Sequence, residues 1–416
     1  MDSIQIQGGV ALRGKVRIQG SKNAVLPIMA ATLLVGETVY LKNCPRISDV
    51  NAMLQLLQSL GCRVYWQWDG VVIDSRRIRC GELPGEAVQG MRSSVFLLGA
   101  LLGRCGEASM EYPGGCVIGE RPIDMHLEAL GQMGVQFEEK EGKLYAEANG
   151  LHGAMIHLRF PSVGVTENVI LAGVMAEGDT ILSGAAREPE VQALCRFLNS
   201  CGADVEGIGT DTLRIRGGRR LSGTQFMIPA DRIVAGTYLF AAIGTGGCVY
   251  LENAPISDME SVIALAGEMG GKFFDDGRGL YVQSPEEMKA VKVVTGTYPG
   301  FPTDLQSVVL AVSTKAIGVS SIEEKIFENR FRIVEDLQKM GADVEQVSGE
   351  CVRVQGGKKL HGCAVEAKEL RGGAALVVAG MMAEGNTVVY GYPFIYRGYE
   401  NICRDFRELG ARIVSV

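Results

Sequence analysis

The sequence predicts an α/β protein of two similar domains, each assembled from three copies of one helix-and-strand unit. Three observations lead there. One phrase, an amphipathic helix ending in hydrophobic-Gly and followed by a short strand, recurs six times. A second, more apolar helix recurs ahead of it. Helices and strands alternate too closely for an all-α or all-β chain.

The first phrase runs Leu56-Leu57-Gln58-Ser59-Leu60-Gly61-Cys62-Arg63-Val64, and then Leu130-Gly131-Gln132-Met133-Gly134-Val135. It returns before Gly202, Gly270, Gly341 and Gly410, at a period of roughly 70 residues. Each of these glycines suits the left-handed position that ends a helix. The second phrase is an Ala/Leu/Val-rich helix, a glycine turn and a strand. Examples are Ala30–Tyr40, Ala172–Ile181 and Val378–Val388. A helix apolar nearly all round belongs in the interior. The resulting repeat is of βαβαββ type. Six repeats divide most simply three and three, with Pro229-Ala230-Asp231-Arg232 as the crossing point.

Composition bounds the function. The 416 residues carry 41 basic and 48 acidic groups, a net charge of −7, which gives no footprint of a nucleic-acid binder. The start, Met1-Asp2-Ser3-Ile4-Gln5, shows no signal peptide, and no apolar run approaches a membrane span. The eleven cysteines lack any C-x-x-C pair, so reduced thiols in a cytoplasmic protein are expected, without a disulfide framework or zinc. Ten of the eleven read as small buried hydrophobes. The four histidines, His126, His152, His157 and His361, show no metal spacing and read as structural or surface residues.

Cys116 is the exception. It sits in Tyr112-Pro113-Gly114-Gly115-Cys116-Val117-Ile118-Gly119-Glu120-Arg121-Pro122, a glycine-rich run that reads as a loop. A thiol there is reachable, and Arg121 could lower its pKa or hold an anion beside it.

Other polar residues break the repeat. Gly20-Ser21-Lys22-Asn23 puts a cation at the start of a buried helix, a good anion site. Met91-Arg92-Ser93-Ser94 does the same in the second unit. Thr303-Asp304 places a lone carboxylate where an N-cap would also be at home. Arg330, Arg371 and Arg397 stand in short polar insertions. Six cations at non-equivalent positions imply a small polyanionic ligand. Asp304 and Cys116 add a general base and a general acid or nucleophile. There is no Walker loop and no dinucleotide fingerprint.

These motifs resemble those of the UDP-N-acetylglucosamine 1-carboxyvinyltransferase family over essentially the whole chain. They include Gly20–Ala24, Met91–Ser93, Pro113–Cys116 with Gly119–Pro122, Ser162–Gly164, and Ala186–Glu190. Ala235–Thr237, Phe301–Asp304, Phe327–Phe331 and Arg397–Glu400 complete the set. The resemblance implies a two-domain inside-out α/β barrel with domains 22–229 and 230–416, the latter joined by 1–21. It implies transfer of the enolpyruvyl group of phosphoenolpyruvate to the 3′-hydroxyl of UDP-N-acetylglucosamine, the first committed step of peptidoglycan synthesis, with no cofactor. Lys22, Arg92, Arg121, Arg371 and Arg397 would surround phosphoenolpyruvate. Asn23, Arg121, Pro122, Ile123, Asp124, Met125, Ser162, Val163, Gly164 and Asp304 would line the UDP-sugar, Ile326 would lie where the sugar contacts continue, and Arg330 would be a further substrate-binding residue. Cys116, Asp304, Lys22 and Arg397 would carry the chemistry, and Cys116 would be the target of fosfomycin.

Three residues depart from the family pattern. Glu369 and Tyr396 stand where aspartates are expected, and Phe394 where a histidine is expected. They motivate an alternative, a catalytically weak paralogue that binds UDP-sugar and regulates. The sister class acting on 3-phosphoshikimate is disfavoured because it lacks the cysteine loop.

Overall fold

The computed structural model describes residues 2–80, 83, 92–111 and 123–416, with Arg92 described in its backbone alone. Cys116, Arg121 and Pro122 lie outside the described residues, as does the side chain of Arg92.

Contacts divide the chain into two compact units. In the unit spanning residues 20–229, three apolar helices, Lys22–Val35, Phe96–Cys105 and Val163–Gly173, pack on one another in the middle. Small sheets cover them. The Lys22–Val35 helix begins where the Ser21 hydroxyl accepts from the Ala24 N–H and stops at Gly36, which is left-handed at φ 64°. All of its residues from Ala24 to Val35 are buried. The expectation of buried rather than amphipathic helices holds. Pro27 inside this helix has no N–H for the Asn23 carbonyl one turn back.

The sheets repeat one plan. Arg63–Gln67 pairs antiparallel with Gly70–Asp74, which pairs antiparallel with Thr38–Lys42, and the short strand Gln225–Met227 joins in parallel. Asp204–Glu206, Thr212–Arg216, Asp179–Ser183 and Met155–His157 follow the same order. Alternation along Thr38–Lys42 and Asp179–Ser183 puts one face on the helices and turns the other outward, whereas residues 70–73 are buried throughout.

The other unit, residues 2–19 and 230–416, has the same design. Its inner helices are Arg232–Thr245, Gln306–Ser313 and Leu370–Met382, each mostly or wholly buried. The strand Arg13–Arg17 pairs in parallel with Cys248–Glu252. Ser3–Gln7 lies between Asn386–Tyr390 and Arg412–Ser415, antiparallel to both. The six marker glycines have φ of 90°, 90°, 105°, 102°, 92° and 87°, so all take the left-handed conformation expected of them.

The cysteines need a correction. Cys80 and Cys105 form a disulfide with their Cα atoms 5.8 Å apart. They are separated by 25 residues in sequence and have no motif in common. Only the fold brings Cys80 against the C-terminus of the Phe96–Cys105 helix. Cys248 is exposed because strand alternation turns it outward, and Cys351 and Cys363 are half-buried. Cys44, Cys62, Cys195, Cys201 and Cys403 are buried as expected.

Candidate active site

In the 230–416 unit the polar residues gather around Asp304. It occupies the 3₁₀ turn Thr303–Leu305 that leads into the Gln306–Ser313 helix. Its carboxylate does not cap that turn. Oδ1 accepts from Arg330 Nη2 at 2.7 Å and Oδ2 from Arg371 Nη2 at 3.0 Å. Both guanidiniums are nearly inaccessible, at 3% and 4%, whereas the Asp304 side chain keeps 23% of its surface open. A partly open carboxylate therefore rests on a buried cationic floor. Arg330 Nε and Arg371 Nη1 are buried without a hydrogen-bond partner, so the floor retains donor capacity.

Burial works against the charge of Arg371, but Asp304, Tyr399 and Asp231 outweigh it and hold the guanidinium more firmly protonated than an ordinary arginine. The Tyr399 hydroxyl, itself fully buried, shares a 2.7 Å hydrogen bond with Thr237. Glu369 opens the Leu370–Met382 helix that carries Arg371. Its carboxylate accepts from the Arg371 N–H at 2.8 Å and from the Gly372 N–H. Glu369, which stands where an aspartate is expected, is thus the cap of the arginine's own helix.

Ile326 and Phe327 donate their N–H groups to Glu324 Oε1 at 2.8 and 3.0 Å, and Thr303 donates to Oε2 at 2.7 Å. Buried Glu324 thus ties the Ile326 turn to the residue beside Asp304. Arg397 is half-buried at the end of the Tyr392–Tyr396 helix. Gln19 holds the turn after it, donating to the Gly398 carbonyl at 3.0 Å and accepting from the Glu400 N–H at 2.8 Å. Tyr396 and Phe394, the other two departures, are half-buried and exposed.

In the 20–229 unit Lys22 opens its helix, and its Nζ lies 2.9 Å from Asp49 Oδ2, a buried carboxylate. Asn23 beside it is half-buried. Ser162 caps the Val163–Gly173 helix through Val165 N–H, and Ser162, Val163 and Gly164 are all half-buried. Ile123 is buried, Met125 half-buried and Asp124 exposed. Asp124 pairs with Arg159. Desolvation pushes Asp124 upward, but the Arg159 hydrogen bond and the Met125 N–H overcome it and keep the carboxyl below its usual range. Among the described residues no group of three or more His, Cys, Asp or Glu could hold a metal ion.

Sequence reasoning missed Asp49, Glu324, Gln19 and Arg159. Asp49 follows Ser48 in an ordinary helix start and gives no signal of its pairing with Lys22. Glu324, Gln19 and Arg159 act through partners that are remote in sequence or across a turn, which no local motif encodes.

Repeated small sheets around buried helices are an architecture this chain shares with the enolpyruvyl transferases. The model of the family described as EPSP synthase (3-phosphoshikimate 1-carboxyvinyltransferase) matches residues 6–406. The enolpyruvyl transferase NikO from Streptomyces tendae superposes with a TM-score of 0.89 at 23% identity, covering 99% of this chain and 98% of that one. EPSP synthase from Acinetobacter baumannii gives 0.76 at 19% identity, over 100% and 99%. At those identities the likeness concerns the fold. Closer in sequence is UDP-N-acetylglucosamine 1-carboxyvinyltransferase 2 of Caldanaerobacter subterraneus, 43% identical over the whole of both chains. UDP-N-acetylglucosamine 1-carboxyvinyltransferase of Oleidesulfovibrio alaskensis is 45% identical, again over the whole of both. The chain belongs to the UDP-N-acetylglucosamine 1-carboxyvinyltransferase family.

Proposed function

We propose that the protein transfers the enolpyruvyl group of phosphoenolpyruvate to the 3′-hydroxyl of UDP-N-acetylglucosamine, releasing phosphate. The observation that carries this is end-to-end identity of 43–45% with relatives named for that reaction. The arrangement at Asp304 supports it.

Asp304, hydrogen-bonded by two guanidiniums, takes the proton of the 3′-hydroxyl as that oxygen bonds to C2 of phosphoenolpyruvate. Cys116 supplies the proton that reaches C3. The tetrahedral adduct then expels phosphate, and C3 gives a proton back to restore the vinyl group. Lys22, Arg92, Arg121, Arg371 and Arg397 stabilise the phosphate and carboxylate charges as they shift. Asn23, the 121–125 run, Ser162, Val163, Gly164, Asp304 and Ile326 serve the sugar nucleotide, and Arg330 is a further substrate-binding residue. The enzyme works in the cytoplasm. No helix of the described residues is long and apolar enough to cross a membrane.

Phosphate release with both substrates, and with each omitted in turn, tests the proposal. Phosphate must appear only with both. Tight UDP-N-acetylglucosamine binding without turnover would replace the enzyme by the regulatory paralogue.

A further inference from the structure

The Val163–Gly173 helix is buried from Val165 onward, yet it reads Val165-Thr166-Glu167-Asn168-Val169. Three consecutive polar residues inside an apolar layer demand partners. Asn168 is fully buried and has them on three elements. Its Oδ1 accepts from the Gly99 N–H at 2.7 Å, and its Nδ2 donates to the Val95 carbonyl at 3.1 Å. Nδ2 also lies 2.9 Å from His126 Nδ1 and 3.4 Å from the Gly164 carbonyl.

Val95 and Gly99 are four residues apart, the spacing of one α-helical hydrogen bond. The Asn168 amide engages both ends of that pair, its carbonyl taking the donor and its NH₂ taking the acceptor. This is a side chain entering a helical ladder. It does so where the 3₁₀ turn Arg92–Val95 gives way to the Phe96–Cys105 helix. The contact also requires glycine: a Cβ on Gly99 would stand 2.5 Å from the Asn168 carbonyl oxygen and 2.7 Å from Oδ1. His126 lies on the Asp124–Gly131 helix, and a Cβ on Gly164 would meet its ring at 3.3 Å. One amide therefore fixes the starts of three helices, which open with Arg92, Asp124 and Val163.

We propose that Asn168 is a positioning residue for the sugar-nucleotide subsite, setting Asp124–Met125 and Val163–Gly164 relative to the 3₁₀ turn that begins at Arg92. Asn168 touches no substrate. It acts through the helix starts it joins, and His126 is its acceptor. The proposal rests on the assignment of those segments to the sugar nucleotide made above. Small displacements of positioned groups are costly, which gives a buried amide this leverage.

The test is direct binding of UDP-N-acetylglucosamine to the full-length protein, by calorimetry, alongside thermal melting. Asn168→Leu removes the amide at similar volume and should raise the Kd about tenfold. Gly99→Ala and His126→Phe act on the same junction and carry the test if Asn168→Leu does not fold; each should weaken binding several-fold. Leu213→Ala, in the outer sheet of the same unit, serves as a control: its Tm should fall while its Kd stays within twofold of wild type. Folded junction variants that lose Tm but keep the wild-type Kd would overturn the proposal, because a purely structural role predicts that result. Asp124→Ala separates the two layers. If it also leaves Kd unchanged, the subsite assignment fails; if it weakens binding while the junction variants do not, only the role of Asn168 fails.

Discussion

Arg371 donates to Asp304 at 3.0 Å from a position almost sealed from solvent, while Arg330 holds the other carboxylate oxygen. One carboxylate thus answers two buried cations. Removing it takes away the carboxylate that both guanidiniums share, a loss on the order of 3 kcal/mol for a broken buried pair, even with Asp231 still acting on Arg371. Asp304→Ala should therefore lower Tm by several degrees and cut turnover at least a hundredfold. Undiminished phosphate release would remove Asp304 as the base.

Glu369 caps the helix that presents Arg371. Loss of an N-cap costs about 1 kcal/mol, so Glu369→Ala should be only mildly destabilised. Its more specific effect should be a several-fold higher KM for phosphoenolpyruvate, with UDP-N-acetylglucosamine binding unchanged. Steady-state kinetics with each substrate varied separately decides this. Equal rises in both KM values would contradict a local role.

Glu167 is fully buried, and both carboxyl oxygens lack hydrogen-bond partners. Burial first, then Glu190 and Glu188, push its pKa well above the ordinary value. The folded state therefore favours the protonated form. Its contribution is fully present below the unfolded-state pKa and is lost as pH rises through the folded-state pKa. Glu167→Gln, neutral at every pH, should gain stability over wild type as pH rises from about 5 to 8. A Tm difference independent of pH would show that folding does not raise the pKa of Glu167.

The Cys80–Cys105 bridge closes a loop across 25 residues. Chain-entropy arguments give such a cross-link about 3 kcal/mol. Cys80→Ser should reduce Tm, and dithiothreitol should lower the wild-type Tm but not that of the variant. Titration of the unreduced, denatured protein should find two fewer thiols than the eleven cysteines in the sequence. Eleven reactive thiols would show the pair to be open in solution.

Cys116 should be the fosfomycin target. Cys116→Ser should lose most turnover and all labelling, as read by intact-protein mass spectrometry. Labelling that persists at another cysteine would count against the assignment.

The sequence alone determined the repeat, because its signals are local. A glycine ending a helix, an apolar helix and an alternating strand need only neighbours in the chain, and Gly61, Gly134, Gly202, Gly270, Gly341 and Gly410 all took the expected left-handed conformation. It also marked Lys22, Asp304, Arg330 and Arg371 as polar breaks in an apolar plan. Tertiary structure alone decided what those groups do. Lys22 finds Asp49, Asp304 finds two arginines rather than a helix end, and Glu369 finds the first N–H groups of the helix that carries Arg371. Asn168 reaches Val95 and Gly99 across 73 and 69 residues, and Cys80 reaches Cys105. Hydrogen bonds and ion pairs act over a few ångströms in space, whatever the separation along the chain, so a motif can announce a charge but only the folded chain supplies its partner.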